Sequence, residues 1–154
     1  MLPKFYLTIF FVAMGFQLFA QAEYPLFKLT LSNGEKYTYT QIEKNKTLVL
    51  IYFAPDCEHC KTFMTQLKSN MGLFSNCQLL MVSYVLPEIL AKFAVAFQFD
   101  QYSNVKIGSE GNSFYLPGFF KITQFPYIVV YNRMAKKTAV FKAVPAIQAL
   151  AAAA

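Results

Sequence analysis

Residues 47–53 (TLVLIYF) form an unbroken run of apolar and β-branched side chains, and this run limits the fold of the chain more than any other feature. A strand with one wet face alternates apolar and polar residues, whereas a strand covered on both faces is apolar throughout. Strands of the second kind lie in sheets that carry helices on both sides. The run therefore predicts a central strand of an α/β domain.

The segments before and after this run predict a mixed sheet that starts with a β-hairpin. Two short strands, 26–31 and 36–40, are separated by Asn33-Gly34, a dipeptide that favours a tight hairpin turn. After the central strand, apolar residues recur three and four positions apart, which predicts a helix with Asp56 as its N-cap and Gly72 as its end.

The rest of the chain adds strands and helices in an order that predicts helices on both faces of a mixed sheet. A second helix is predicted to open at Pro87, since proline is favoured in the first turn. The segment 100–118 is rich in Gly, Ser and Asn, so we expect an irregular surface excursion. The remaining predictions are strands at 79–85, 127–131 and 138–144 and a closing helix after Pro145.

Residues 1–22 have the composition of a secretory signal peptide. Lys4 supplies the positive start, residues 5–19 are predominantly apolar, and Ala20-Gln21-Ala22 is a small-x-small cleavage site. The apolar stretch is shorter than the ~20 residues that span a bilayer. We therefore expect an exported protein, periplasmic or extracellular, that is attached to a membrane only if this segment stays uncleaved. The predicted organisation is a signal peptide at 1–22, a domain at 23–150 and an alanine tail at 151–154.

Composition and charge exclude some classes of protein. Hydrophobic residues make up 56% of the chain and charged residues 14%, which indicates an ordered globular protein. The net charge is +6, but the basic residues are dispersed rather than gathered in a stripe that could follow a phosphate backbone. We expect no nucleic-acid partner.

Two cysteines, Cys57 and Cys60, lie three positions apart in the stretch APDCEHCK that follows the central strand. At this spacing on a helix their Cβ atoms are ~5–6 Å apart, and a small adjustment reaches the separation that a disulfide needs. A thiol at a helix N-terminus is favoured as thiolate by unpaired N–H groups and the helix dipole. The pattern predicts Cys57 as nucleophile and Cys60 as the resolving thiol.

Neighbouring charged residues modulate this pair in opposite directions. A protonated His59 would stabilise the Cys57 thiolate, whereas Glu58 and Asp56 are acidic neighbours, and a negative charge disfavours a thiolate. The direction of the reaction is therefore open, so the protein could be a reductase, an oxidase or an isomerase. Cys77 is the odd cysteine of three. We expect it to be a buried structural thiol.

Other readings of the cysteine pair stay open at this point. The thiols could be ordinary core residues, or half of a zinc site that needs two further ligands. Two thiolates and the imidazole of His59 could also hold copper. Thiol exchange needs no diffusible cofactor, and we expect none.

The stretches TLVLIYFAPDCEHCK and ITQFPYIVVYN together resemble the thioredoxin-like superfamily. The hairpin FKLTLSNGEKYTY is similar to the N-terminal addition of exported TlpA-type proteins, and the x-His-Cys ending of the motif is similar to the disulfide-forming DsbA type. The resemblance implies a thioredoxin-like fold, with a central mixed sheet, flanking helices and an N-terminal β-hairpin. It also implies an exported thiol–disulfide oxidoreductase, with protein thiols and disulfides as substrates and an unidentified redox partner.

The same resemblance implies a substrate-binding role for Phe125 and Pro126. Pro126 matches the family's cis-proline, and the backbone of Phe125 would pair with an extended substrate peptide. Two positions depart from the family pattern: Asp56 replaces a tryptophan, and Ile51 replaces a buried acid. The alternative is a non-catalytic thioredoxin-like module that binds a peptide or a copper ion.

Overall fold

Seven strands form one mixed sheet in the computed structural model, which describes residues 24–154. The strand order across the sheet is β2-β1-β5-β4-β3-β6-β7. The predicted signal peptide at 1–22 lies outside the described residues. The strands are β1 (Lys28–Leu31), β2 (Lys36–Thr38), β3 (Thr47–Tyr52), β4 (Cys77–Ser83), β5 (Val105–Ser109), β6 (Tyr127–Tyr131) and β7 (Lys137–Phe141).

Helices pack on both faces of this sheet, as predicted. Alternate residues of β3 and β4 belong to two different cores, one on each face. Buried residues of α1, α2 and α4 share the first core, and Leu116 of α3 lies in the second. The α-helices within the described residues are α1 (Glu58–Ser69), α2 (Pro87–Ala96), α3 (Tyr115–Phe120) and α4 (Ile147–Ala153). The fold class expected from sequence is confirmed.

The apolar run at 47–53 becomes β3, and every residue of this strand is buried. β3 pairs in parallel with β4 and antiparallel with β6, so it has a neighbour on each side. None of the helices within residues 24–154 has the length and apolar content that a bilayer crossing requires.

The N-terminal hairpin forms as predicted, but its strands are shorter than expected. β1 and β2 pair antiparallel, and the side chain of Asn33 accepts a hydrogen bond from the Glu35 amide (3.1 Å) in the turn between them. Gly34 has a φ of 88°, a left-handed conformation that glycine adopts at little cost. β1 also pairs antiparallel with β5, which attaches the hairpin to the main sheet.

The prediction of an irregular excursion at 100–118 is wrong, because β5 lies inside this segment. β5 pairs in parallel with β4, and only Lys106 among its five residues is exposed. Gly108 and Ser109 have low strand propensity, so the sequence pattern of this segment does not predict a strand. A side chain at Gly108 would be crowded, since a Cβ at this position would lie 3.1 Å from the Leu31 side chain of the neighbouring strand.

Several element boundaries also differ from the predictions. The N-cap of α1 is Cys57 rather than Asp56, and the helix ends at Ser69, before Gly72. β4 and β7 both begin and end earlier than expected. The predicted closing helix is present as α4, which extends into the terminal alanines.

Candidate active site

The candidate site lies where the chain leaves the buried end of β3 and enters α1. The amide of Phe53 donates to the Val82 carbonyl (3.0 Å), which holds the strand end against β4. The amide of Cys57 then donates to the Ala54 carbonyl (3.1 Å), which closes the turn. Cys57 is extended (φ −78°, ψ 120°), but its carbonyl already accepts the first helical bond from the Lys61 amide. Cys57 is therefore the N-cap residue of α1.

The two thiols of the motif differ sharply in exposure. Cys57 is half-buried, whereas Cys60 is fully enclosed in the core beneath it, and both are free thiols. Burial raises the pKa of the Cys60 thiol to about 12, and a hydrogen bond with the Cys57 side chain adds to the increase, although a backbone hydrogen bond from Ala54 acts in the opposite direction. The Cys57 thiol is therefore accessible to a reaction partner, whereas the Cys60 thiol is buried and protonated.

Of the two predicted substrate-binding residues, Phe125 contacts Cys57 directly and Pro126 follows it in the chain. The thiol of Cys57 donates to the backbone carbonyl of Phe125 at a distance of 3.9 Å. The Phe125–Pro126 peptide bond is cis, as the resemblance implies. Both are brought to the site by the start of β6, the antiparallel neighbour of β3. The structure thus places four of the predicted site residues in one location.

The three polar residues predicted to modulate the thiols are exposed. Asp56 precedes the helix, and Glu58 and His59 occupy its first turn. Glu58 is paired with Lys61 (Oε1 to Nζ, 2.6 Å), and this hydrogen bond lowers the pKa of the Glu58 carboxyl. Lys61 was not among the residues predicted from sequence. Its ammonium group offsets the acidic charge beside Cys57.

Two functional candidates that sequence reasoning missed, Tyr52 and Glu110, lie behind Phe125. The hydroxyl of Tyr52 donates to Glu110 Oε1 (2.6 Å), and both side chains are buried. Burial raises the pKa of the Tyr52 phenol, and the hydrogen bond to Glu110 raises it further. No local sequence pattern could have found this pair, because its members are 58 positions apart.

Two further sequence predictions concern residues around the pair. Ile51 is buried in the same core as Cys60, at the position where the family pattern has an acid. Cys77 is buried, as predicted, and burial raises its pKa. It lies at the beginning of β4, whereas the motif follows the end of the parallel strand β3, so Cys77 is at the opposite end of the sheet.

A metal site requires several donor side chains that lie close together. Within residues 24–154, no group of three or more His, Cys, Asp or Glu side chains is close enough to hold a metal ion. The donors at the motif itself are the two thiols and the exposed imidazole of His59.

Solved structures show where this fold occurs in other proteins. A thioredoxin-like protein from Aeropyrum pernix is 15% identical, with a TM-score of 0.66 over 84% of this chain and 88% of that one. A secreted Mycobacterium tuberculosis disulfide oxidoreductase, homologous to Escherichia coli DsbE, is 13% identical, with a TM-score of 0.69 over 83% and 93% of the two chains. A peroxiredoxin-like protein from Aquifex aeolicus is 14% identical, with a TM-score of 0.68 over 83% and 81%.

At these identities the likeness shows a shared thioredoxin-like fold. Comparison with curated protein sequences gave no match. The sequence model of the AhpC/TSA family, however, matches residues 20–112, which is more than half of the chain and includes both cysteines of the motif. The chain therefore belongs to the AhpC/TSA family.

Proposed function

We propose that this protein is a thiol–disulfide oxidoreductase that exchanges disulfides with other proteins through Cys57 and Cys60. The observation that carries the proposal is the arrangement of three groups: an accessible thiol at a helix N-cap, a buried thiol one turn further, and a backbone carbonyl 3.9 Å in front of the first. The unpaired N–H groups of a helix N-terminus stabilise negative charge on a sulfur placed there, and a thiolate is the form that attacks a disulfide.

The proposed reaction consists of two successive thiol–disulfide exchange steps. The Cys57 thiolate attacks one sulfur of the substrate disulfide, so a mixed disulfide forms and the second substrate sulfur leaves as a thiolate that takes a proton. Cys60 then loses its proton and attacks Cys57 Sγ, which releases the first substrate sulfur as a thiol. The substrate gains two electrons and two protons, and the protein is left with a Cys57–Cys60 disulfide.

The burial of Cys60 fits the resolving role. A thiol with a pKa of about 12 is protonated at neutral pH and does not compete with Cys57 for the substrate. It becomes useful only when the mixed disulfide places a sulfur next to it. The departing substrate thiolate can then accept the proton that Cys60 must lose.

We propose that the substrate peptide docks along the backbone at Phe125 and Pro126. The Phe125 carbonyl faces the reacting sulfur, so a peptide bound there would present its cysteine to Cys57. His59, Glu58 and Asp56 are exposed around the same turn and would influence which charges a substrate can carry.

Export and an electron partner complete the proposal. The composition of residues 1–22 supports export to an oxidising compartment, and one protein of the same fold is described as secreted. A second protein thiol or disulfide must return the Cys57–Cys60 pair to its starting state after each cycle. The direction of the reaction depends on the reduction potential of the pair.

The central experiment measures this potential by equilibrating the protein with glutathione. A value near ~−270 mV indicates a reductase and one near ~−120 mV an oxidase. Reduction of a protein disulfide is measured in parallel, with Cys57→Ala as the inactive variant and Cys77→Ala as the matched control. Hydrogen peroxide is included as a second oxidant, since one protein of the same fold is described as peroxiredoxin-like.

The alternative of a binding module gives a different result. If the wild-type protein exchanges with no dithiol or disulfide and instead binds Cu(I) stoichiometrically through the same cysteines, the oxidoreductase proposal is wrong. Consumption of peroxide without exchange with protein disulfides would also contradict the proposed substrate class.

A further inference from the structure

The carboxylate of Glu110 is buried although it belongs to a residue type that is almost always exposed. Only 8% of Glu110 is accessible to solvent, and Tyr52, its partner at 2.6 Å, is fully buried. A buried acid is costly unless several donors surround it.

The second oxygen of the same carboxylate binds a different part of the chain. Glu110 Oε2 accepts from the backbone amide of Leu116 (3.0 Å) in the first turn of α3, and the Ser113 hydroxyl lies at 3.5 Å. The first oxygen binds Tyr52 at the end of β3. Glu110 therefore links the strand that leads into the cysteine motif with the segment that leads into α3.

Both parts of the chain that Glu110 links are connected to Phe125 through contacts between aromatic rings. The ring of Tyr52 packs on the ring of Phe125 with centroids 5.7 Å apart. On another side, Tyr84 packs on Phe125 (6.4 Å) and also on Phe114 (5.8 Å), the N-cap residue of α3. Glu110 thus binds one aromatic neighbour of Phe125 directly, and it binds the first turn of α3, whose N-cap residue Phe114 packs on the other.

Building on the proposed function, we propose that Tyr52 and Glu110 are positioning residues that hold Phe125, and with it the carbonyl facing Cys57, in the place where a substrate peptide docks. Tyr52 belongs to the core on the face of the sheet opposite that of Cys60, and its ring packs on Phe125, so the pair acts through Phe125. A docking backbone that is already fixed loses less entropy when the peptide binds. Loss of the hydrogen bond would therefore weaken substrate binding more than the chemical step.

Two variants test this role, and a third is a matched control. Tyr52→Phe keeps the ring that packs on Phe125 and removes only the hydroxyl, while Glu110→Gln keeps the shape and removes the charge. Tyr37→Phe is the control: it also removes one phenol hydroxyl, here bonded to the Gln41 carbonyl (3.2 Å). Tyr37 lies on β2, which is separated from β3 by three strands.

The measurements are steady-state kinetics with a protein disulfide, the reaction rate with a small aromatic disulfide, and the reduction potential of the cysteine pair. For Tyr52→Phe we expect KM for the protein substrate to rise by about three- to tenfold, the range that corresponds to loss of one hydrogen bond. For Glu110→Gln we expect a smaller rise in the same direction, because the new amide group can donate to the Tyr52 oxygen instead of accepting from it. The kcat, the rate with the small disulfide and the potential should match the wild type. Tyr37→Phe should match it in all four quantities.

The possible failures are distinguishable. If the wild-type protein exchanges disulfides but both variants keep its KM, the positioning role is wrong and the proposed function stands. If the small-disulfide rate falls as much as the protein-substrate rate, the pair acts on the thiols themselves, which also overturns the inference. If the wild type exchanges no disulfide, both proposals fail. Should Glu110→Gln not fold, Tyr52→Phe alone decides, because it preserves the packed ring.

Discussion

The Cys57 thiol donates to the Phe125 carbonyl across 3.9 Å, although the two residues are 68 positions apart in the chain. The contact exists because β3 and β6 are antiparallel neighbours, so the end of one strand meets the start of the other. The proposed nucleophile and the proposed docking backbone are therefore both attached to the central strands of the sheet. Sites built on such elements hold their geometry more precisely than sites on loops.

Replacement of the buried thiol should trap the reaction halfway. In Cys60→Ala, Cys57 can still attack a substrate disulfide, but no second thiol is available to release the product. We expect a stable mixed disulfide between the variant and its substrate, visible by mass spectrometry and by electrophoresis without reductant. Cys77→Ala should release product normally, because Cys77 lies at the other end of the sheet. Normal turnover by Cys60→Ala would show that Cys60 is not the resolving thiol.

The pKa of Cys60 also predicts how stability changes with pH. The ordinary value of a cysteine thiol is about 9 and the folded value is about 12, so the folded state holds this proton more tightly than the unfolded state does. The resulting stabilisation is complete below pH 9 and is lost as the pH rises toward 12, with a slope of at most about 1.4 kcal/mol per pH unit.

The measurement is urea unfolding of the wild type and Cys60→Ala at several pH values. The difference in free energy of unfolding between the two proteins should be constant from pH 6 to 8 and should shrink above pH 9. Other buried groups, such as the phenol of Tyr52, affect both proteins equally and cancel in this difference. A difference that stays constant up to pH 10.5 would show that the pKa of the thiol is not raised.

The pairing of Lys61 with Glu58 should influence the reactivity of Cys57. Lys61→Met removes an ammonium group that interacts electrostatically with Cys57 and leaves the Glu58 carboxylate unpaired. A neighbouring positive charge promotes the reaction of a cysteine with an alkylating reagent, so its loss slows that reaction. We expect alkylation of Cys57 by iodoacetamide to slow by about twofold at low ionic strength, as is typical of an exposed ion pair. In about 1 M salt, where the Debye length is ~3 Å, the difference should vanish.

The control for this prediction is Lys68→Met on the same helix. Lys68 donates to the side chain of Gln98 (2.7 Å) at the far end of α1, so its loss should leave the alkylation rate unchanged. Equal slowing in both variants would indicate a general charge effect rather than a specific pair.

Gly108 should be intolerant of a side chain. A Cβ there would meet Leu31 Cδ2 at 3.1 Å and Leu29 Cβ at 3.2 Å, and the second atom cannot move without its strand. We expect Gly108→Ala to lower the free energy of unfolding by about 1–3 kcal/mol, the usual range for overpacking. Gly72→Ala is the control, since no atom lies within 4 Å of its Cβ position. Chemical denaturation of both variants measures the difference, and equal stability would contradict the packing described for β5.

The sequence predicts those parts of the fold whose cause is local. The apolar run of β3 and the spacing of Cys57 and Cys60 are read directly, because burial on both faces and a helical turn leave periodic patterns. β5 was missed because its Gly108 is required by a neighbouring strand distant in sequence. A glycine that makes room for a partner looks the same in the sequence as a glycine in a loop.

The same distinction between local and long-range causes applies to the candidate site. Cys57, Cys60 and the Phe125-Pro126 dipeptide were recognised because each belongs to a short motif. Tyr52 and Glu110 were not, since a buried hydrogen bond between distant positions leaves no trace until the strands are paired. The N-cap was misplaced by one residue because Asp56 is a favoured capping type, whereas the chain enters the helix at Cys57.

The strand order places β2 and β7 at the two edges of the sheet formed by residues 24–154. An edge strand has unpaired backbone groups that can template the addition of a foreign strand. Here β2 is only three residues long, and β7 begins at an exposed lysine and is followed by Lys142. Short length and lysine side chains both discourage edge-to-edge pairing. If extended substrate segments dock at Phe125 as proposed, the edges of the sheet do not offer those segments a second place to pair.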